Sequence, residues 1–206
     1  MIGEYVLEHY DELDLNGDGK ISYAMFKGDE ANVEAIYRTQ YGVEDANAVL
    51  TAAGKPELVY FDANNTSGYQ VDLNGLWSAA AALDYMNTNL SQYNEGNNNM
   101  IELIICNNDN MAEGAISALE AAGRTDVLVA AFDCSPEIVE AIREGKVAGT
   151  SAQQPVLMGR YSAQAVTSYL AGEEVEKEIT LDTLLVTKDN IDEVYDTLVE
   201  VALTEE

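Results

Sequence analysis

The stretch "IELIICNNDNMAEGAISALEAAGRTDVLVAAFDCSPEIVEAI", Ile101–Ile142, contains two strand-to-helix units in succession. With Met100 it opens on MIELIIC, a run apolar except at Glu102 and of the kind buried on both faces of a sheet. The helix predicted over 109–122 stops at Gly123, a residue suited to the left-handed C-cap. VLVAAF, 127–132, is a second strand. Ser135 then caps a helix over 135–144, with Pro136 in its first turn and Gly145 at its close. Strand, helix, strand, helix without a hairpin turn describes parallel strands joined by crossovers.

The same alternation extends outward in both directions. Upstream lie a short helix over 3–12, a strand over 20–27 (KISYAMFKG) and a helix over 30–53, with Val33, Tyr37, Tyr41 and Val49 along one stripe. PELVYFD gives a strand at 57–62, and a polar Gly- and Asn-rich stretch fills 63–75. LWSAAAALDYMNTNL gives a helix at 76–90, and an Asn-rich turn occupies 94–99. Downstream, KVAGTSA is a short strand or crossover, followed by a helix over 155–171, a strand over 178–186 and a last helix over 188–203. The expected class is therefore α/β, a parallel sheet with helices on both faces. In such sheets ligands sit beyond the carboxyl ends of the strands. Those ends are Lys27–Gly28, Asp62–Asn65, Cys106–Asp109, Phe132–Cys134 and Ala152–Gln154. Helix capping explains part of this polar set, Asp109 and Asp133 included. With no GxGxxG or Walker loop, the rim suits a hydroxyl-rich ligand better than a phosphate.

Composition narrows the partners. The formal net charge is -27, from 10 Lys+Arg against 37 Asp+Glu. A surface this negative repels phosphate backbones and anionic lipid, so no nucleic-acid partner is expected. His9 is the only histidine and the two cysteines are not in a CxxC pair, which argues against zinc. Cys106 and Cys134 both follow apolar runs; they read as buried free thiols, or as a disulfide between neighbouring strand ends. No stretch approaches the ~18 apolar residues of a membrane span, and no apolar secretion segment opens the chain.

"DLNGDGKIS", Asp14–Ser22, begins as a calcium loop: Asp14, Asn16 and Asp18 take positions one, three and five, Gly19 six and Ile21 eight. Position twelve, where a bidentate glutamate belongs, is Met25. The alternative reading is a solvated Asx/Gly turn.

DLNGDGKIS, IELIICNNDNMAEGAISAL and AFDCSPEIVEAIREGKVAGT, in that order and spacing, resemble the galactose/glucose-binding proteins, sugar-binding proteins that feed ABC transporters and in some organisms signal to a chemoreceptor. TLLVTKDNIDEV resembles their C-terminal end. The resemblance implies that the closing carboxylate of the calcium loop arrives from a distant strand, as Glu102. Asp14, Asn16 and Asp18 would bind Ca²⁺ through side chains and Lys20 through its carbonyl. Ser22 stands where the family usually has glutamine, so a bridging water is expected there. For the sugar, the resemblance implies Arg38 on ring or hydroxyl oxygens and Trp77 stacked on the apolar pyranose face. Asn108 and Asp133 would pair with hydroxyls, and Gln153 stands at a family asparagine. Glu34 stands at a family aspartate and Asn32 at a family histidine. Arg38 read as a surface pair with Glu34, and Trp77 read as ordinary core, are the alternatives.

The resemblance further implies a two-lobed type I architecture. Residues 1–153 would form the C-terminal lobe with the calcium loop, 154–187 a piece of the other lobe, and 188–206 a helix returning to the first. The N-terminal lobe would be largely absent and Met1 an internal start. Half a cleft would leave the sugar solvated on one side, and the 155–171 helix would show apolar side chains to water. The function implied is hexose binding for ABC-transporter uptake, without chemistry, in an extracytoplasmic parent. Other readings are the effector core of a sugar-responsive regulator, a carbohydrate-active enzyme using Glu34 and Asp133, and a calcium-dependent interaction module.

Overall fold

The computed structural model describes residues 1–94, 96, 99–194 and 198. In chain order the elements are α1 (Ile2–Glu8), α2 (Tyr10–Leu13), β1 (Ser22–Lys27), α3 (Val33–Ala52), β2 (Val59–Tyr60), β3 (Gln70–Val71), α4 (Ala79–Gln92), β4 (Leu103–Cys106), α5 (Asp109–Ala122), β5 (Leu128–Asp133), α6 (Pro136–Arg143), β6 (Gly149–Ala152), α7 (Pro155–Leu170) and β7 (Leu184–Thr187). The strands form one sheet in the order β2-β1-β4-β5-β6-β7, with β3 also beside β1. Every pairing is parallel except β6 with β7.

Alternation along the two central strands explains why both faces are covered. Ala24 and Phe26 of β1, with Ile104 and Cys106 of β4, join one core with Met86 of α4, Met111 and Ala115 of α5, and Ile138 and Ile142 of α6. Tyr23 and Met25, with Leu103 and Ile105, join the other, with Val6, Tyr10 and Leu50 from α1, α2 and α3. A period of two sends neighbours to opposite faces, so a strand buried on both sides must be apolar throughout. The chain runs outward from β1 to β2 and then back across to β4. The direction of winding therefore reverses between β1 and β4, and their carboxyl ends frame a crevice.

Several boundaries depart from the sequence reading. The helix expected over 3–12 is two short helices that meet at His9. The strand expected over 57–62 shrinks to β2, and the polar 63–75 stretch contains β3. These two pieces share one edge of β1: Ser22 pairs with Val59, and Phe26 with Gln70. The loop between them replaces the middle of an edge strand. Of the strand expected over 178–186 only β7 forms, antiparallel at the sheet's other edge. Leu184–Thr187 thus belongs to this sheet, not to a separate 154–187 segment, because Ala152 to Gly149 supply its register partners. Ile191 packs in the first core, and Val194 and Leu198 rest against it; the rest of the helix expected over 188–203 lies outside the described residues, as does part of the 94–99 turn. α7 contributes no buried residue, and Tyr169 and Leu170 are 72% and 79% exposed. Cys106 and Cys134 are both free; only Cys106 is fully buried.

Candidate functional site

The carboxyl ends of β1, β4, β5 and β6 place Gly28, Asn107, Asp133 and Gln153 on one rim. Arg38 reaches this rim from α3, whose N-terminus Asn32 caps by accepting the Ala35 N–H at 3.1 Å. Nη1 of Arg38 donates to the Asn107 carbonyl at 2.7 Å and to Asp133 Oδ1 at 3.3 Å. Its guanidinium lies 3.7 Å from the centre of the Phe132 ring and 5.5 Å from that of Trp77. Aromatic faces attract a cation and fix its plane. Among the described residues both hydrogen bonds of Arg38 come from Nη1, which leaves Nε and Nη2 as further donors. Asp133 also accepts from Gln153 Nε2 at 2.5 Å. Burial pushes its carboxyl up; Gln153 and Arg38 pull it down without cancelling the rise, and Glu34 adds to it.

The turn carrying Asp133 is strained. Asp133 has φ 123° and Cys134 φ 75°, both in the region that favours glycine. Beneath it, the buried Asp109 accepts the Ser135 N–H at 2.5 Å and the Thr150 hydroxyl at 3.0 Å. Ser135 in turn caps α6 through Ile138 N. Burial raises the Asp109 carboxyl to about 6, against the pull of Ser135 and Thr150, with the Asp133 charge adding to the rise.

Trp77 closes the crevice over β1. A Cβ on Gly28 would lie 2.0 Å from Trp77 Cδ2, so the indole rests directly on that glycine. Trp77 is itself at φ 54°. It is partly exposed and lies outside both buried cores, which removes the core reading.

The structure brings Arg38, Trp77, Asp133 and Gln153 together. It pairs Arg38 with Asp133, not with Glu34 in the surface pair held open as an alternative. Glu34 is exposed and near enough only to raise Asp133. Asn108 is buried and committed to protein: Nδ2 donates to the Trp77 carbonyl at 3.2 Å, and Oδ1 caps α5 through Met111 N at 3.0 Å. Asn32 likewise spends its side-chain oxygen on the α3 cap. Two contributors were not singled out from sequence. Phe132 and Asn107 both fall within the strand-end sets, but nothing local distinguishes them from their neighbours. Asn107 Oδ1 accepts the Gly28 N–H at 3.2 Å, which ties β4 to β1 at the crevice. A cavity of about 440 Å³ opens beside this rim, lined by Arg38, Phe132, Gln153, Tyr161 of α7 and Asp182.

The acidic loop lies on the opposite end of the sheet. Asp14 accepts the N–H groups of Asp18 and Gly19 at 3.0 and 2.9 Å, which preforms the turn. Glu102, fully buried, reaches under the loop: Oε1 accepts from Leu15 N at 2.8 Å and Asn16 N at 3.3 Å, and Oε2 from Ser22 N at 2.7 Å. Burial pushes its carboxyl up, more than these amides pull it down. The loop side chains offer oxygen donors, the kind calcium takes, and Glu102 reaches the loop through the loop's backbone amides. Ser22 departs, since its hydroxyl donates to the Met100 carbonyl. Among the described residues, no three acid, histidine or cysteine side chains converge closely enough to hold a metal unaided.

Residues 1–174 match the family described as periplasmic binding protein domain. The chain is 34% identical over 160 residues to the D-galactose/methyl-galactoside binding periplasmic protein MglB of Haemophilus influenzae, covering 78% of this chain and 43% of that protein. It is 38% identical over 88 residues to the ribose import binding protein RbsB of Escherichia coli, covering 43% and 30% respectively. Among solved structures, an ABC transporter solute binding protein from Bacillus halodurans with bound myo-inositol superposes with TM-score 0.71 at 25% identity, over 95% of this chain and 58% of that one. The chain thus spans less than half the length of the curated relatives it matches. Among the described residues no helix is long and apolar enough to cross a membrane.

Proposed function

Because the chain belongs to the periplasmic binding protein domain family, we propose that it forms one wall of a monosaccharide site, with a hexose such as galactose or glucose as ligand. The family and the relatives are solute binders, not enzymes. The observation that carries the reading is Arg38: a guanidinium held flat by Phe132 and Asp133, with two donor groups unspent beside the Trp77 face. Such a fork engages adjacent ring oxygens, and an indole covers the apolar C–H face of a pyranose. Asp133 and Gln153 supply further hydrogen-bonding groups. Glu34, exposed and near enough to act on the Asp133 charge, would add a further carboxylate for a hydroxyl. Asn108 and Asn32 act through the backbone they pin. The opposite wall would come from the second lobe that the family resemblance implies, which would close over the sugar by a hinge and deliver it to the membrane subunits of an ABC transporter. The resemblance adds an extracytoplasmic location for the parent, and a chemoreceptor as a further partner.

With one wall the affinity is weak, so the test is saturation-transfer NMR of galactose, glucose, ribose and myo-inositol with the chain. The expected result is transfer to the C–H face of a hexose, abolished by Arg38→Ala. Transfer that survives Arg38→Ala, or none to any sugar, removes the proposal.

Calcium at the acidic loop is part of the same reading. Its support is the buried Glu102 carboxylate, brought under the Asp14–Asp18 loop from the middle of the chain. Asp14, Asn16, Asp18, the Lys20 carbonyl and Glu102 would hold the ion, with water in place of Ser22, and the ion would lock the loop to the segment preceding β4. Thermal unfolding with calcium or with EDTA decides it: a midpoint indifferent to both means no site.

A further inference from the structure

The Trp77–Ser78 peptide is held at both of its polar groups by side chains from different parts of the chain. Its carbonyl accepts from Asn108 Nδ2 at 3.2 Å, and its N–H donates to Asp72 Oδ2 at 3.0 Å. Asp72 lies just beyond β3 and is 2% exposed. Its carboxylate also accepts the Ser78 hydroxyl at 2.7 Å and the Asn74 N–H at 2.9 Å. A buried carboxylate with this many inward donors organises the whole 72–78 loop. The loop needs it, because Trp77 stands at φ 54°, a conformation that persists for a bulky residue only when its surroundings over-determine it. The Gly28 surface fixes the ring from below, and the peptide clamp fixes the Trp77–Ser78 backbone that carries it, within a loop also tied by Asp72 N–H to the Lys27 carbonyl and Gly75 N–H to the Asp72 carbonyl.

We infer that Asp72 is the positioning residue of the Trp77 platform: it touches no ligand, and it sets the plane on which a sugar would stack. The value of that plane for sugar rests on the function proposed above; the clamp itself does not.

Trp77 is the only tryptophan, so its fluorescence reports this loop alone. Acrylamide quenching and steady-state anisotropy are measured on the full chain without sugar for Asp72→Ala, Asp72→Asn and Ser78→Ala. Losing the clamp raises the open share of the loop about tenfold, seen as a rise in quenching and a fall in anisotropy in Asp72→Ala. Asp72→Asn keeps the shape and one acceptor and falls between Asp72→Ala and the parent. Ser78→Ala removes the hydroxyl that caps α4 but keeps the N–H on Asp72, so Trp77 stays protected even as α4 weakens. Unchanged quenching in both Asp72 variants, or Ser78→Ala as exposed as Asp72→Ala, overturns the inference. Loosened indole with unchanged sugar transfer upholds the clamp and sinks the stacking role of Trp77 instead.

Discussion

Replacing Asp109 with asparagine tests whether a buried carboxylate beneath the strained Asp133–Cys134 turn resists ionisation. Its carboxyl titrates at about 6 in the folded chain, against an ordinary 3.8. The folded state therefore binds a proton that the unfolded chain has released. The stability this provides is complete below about 3.8 and is lost as pH rises through about 6. Two units at about 1.4 kcal/mol each give a loss of about 3 kcal/mol between acid and neutral pH. Asparagine cannot ionise, yet its oxygen still accepts the Ser135 N–H, and its amide can donate to the Thr150 hydroxyl, as a protonated acid can, with Thr150 then accepting where it now donates. The assay is urea unfolding of parent and Asp109→Asn chains from pH 4 to 8, followed by far-UV circular dichroism. Taking the difference between the two removes the many surface carboxylates that titrate in both. The expected difference shifts by about 3 kcal/mol in favour of asparagine as pH rises. A difference that stays flat, or moves toward the parent, refutes the burial argument.

Gly28→Ala would place a methyl 2.0 Å from Trp77 Cδ2. The indole must leave its seat, with a red-shifted emission, lost sugar transfer and a stability cost of about 1–3 kcal/mol. Ile104→Ala, at a site with no exposure, should cost about 2–5 kcal/mol in urea unfolding while leaving Trp77 emission unchanged. Glu102→Gln keeps one oxygen for Leu15 and Asn16 but turns a donor toward the Ser22 N–H. A loss of about 1–3 kcal/mol is expected even in EDTA, measured by thermal unfolding; no loss would show that the loop does not depend on this carboxylate.

Much of this fold is legible in local pattern. Leu103–Cys106 alternates between two cores because a strand covered on both faces has no polar side, and Gly123, Ser135 and Pro136 mark helix ends through backbone chemistry that acts within a turn. The edge of β1 was legible only in part, as the 57–62 strand that contains β2. β2 and β3 are two residues each, and the pairing with β1 that defines them is set by tertiary register, not by composition. The polar 63–75 stretch conceals β3 for the same reason.

The candidate site divides along the same line. Which residues carry suitable groups follows from the strand ends, because a parallel sheet delivers its loops to one rim. How those groups are used depends on contacts between residues far apart in the chain: Arg38 meets Asp133 across 95 positions and Asn108 meets the Trp77 carbonyl across 31. An asparagine has the same donors and acceptors whether it faces a ligand or a peptide, so sequence alone could not show that Asn108 is spent on holding Trp77. Residue chemistry and periodicity determined the sheet, its helices and the rim. Only the tertiary structure decided which polar side chains face outward from that rim and which, like Asp72, Asn108 and Asp109, are buried to hold the others in place.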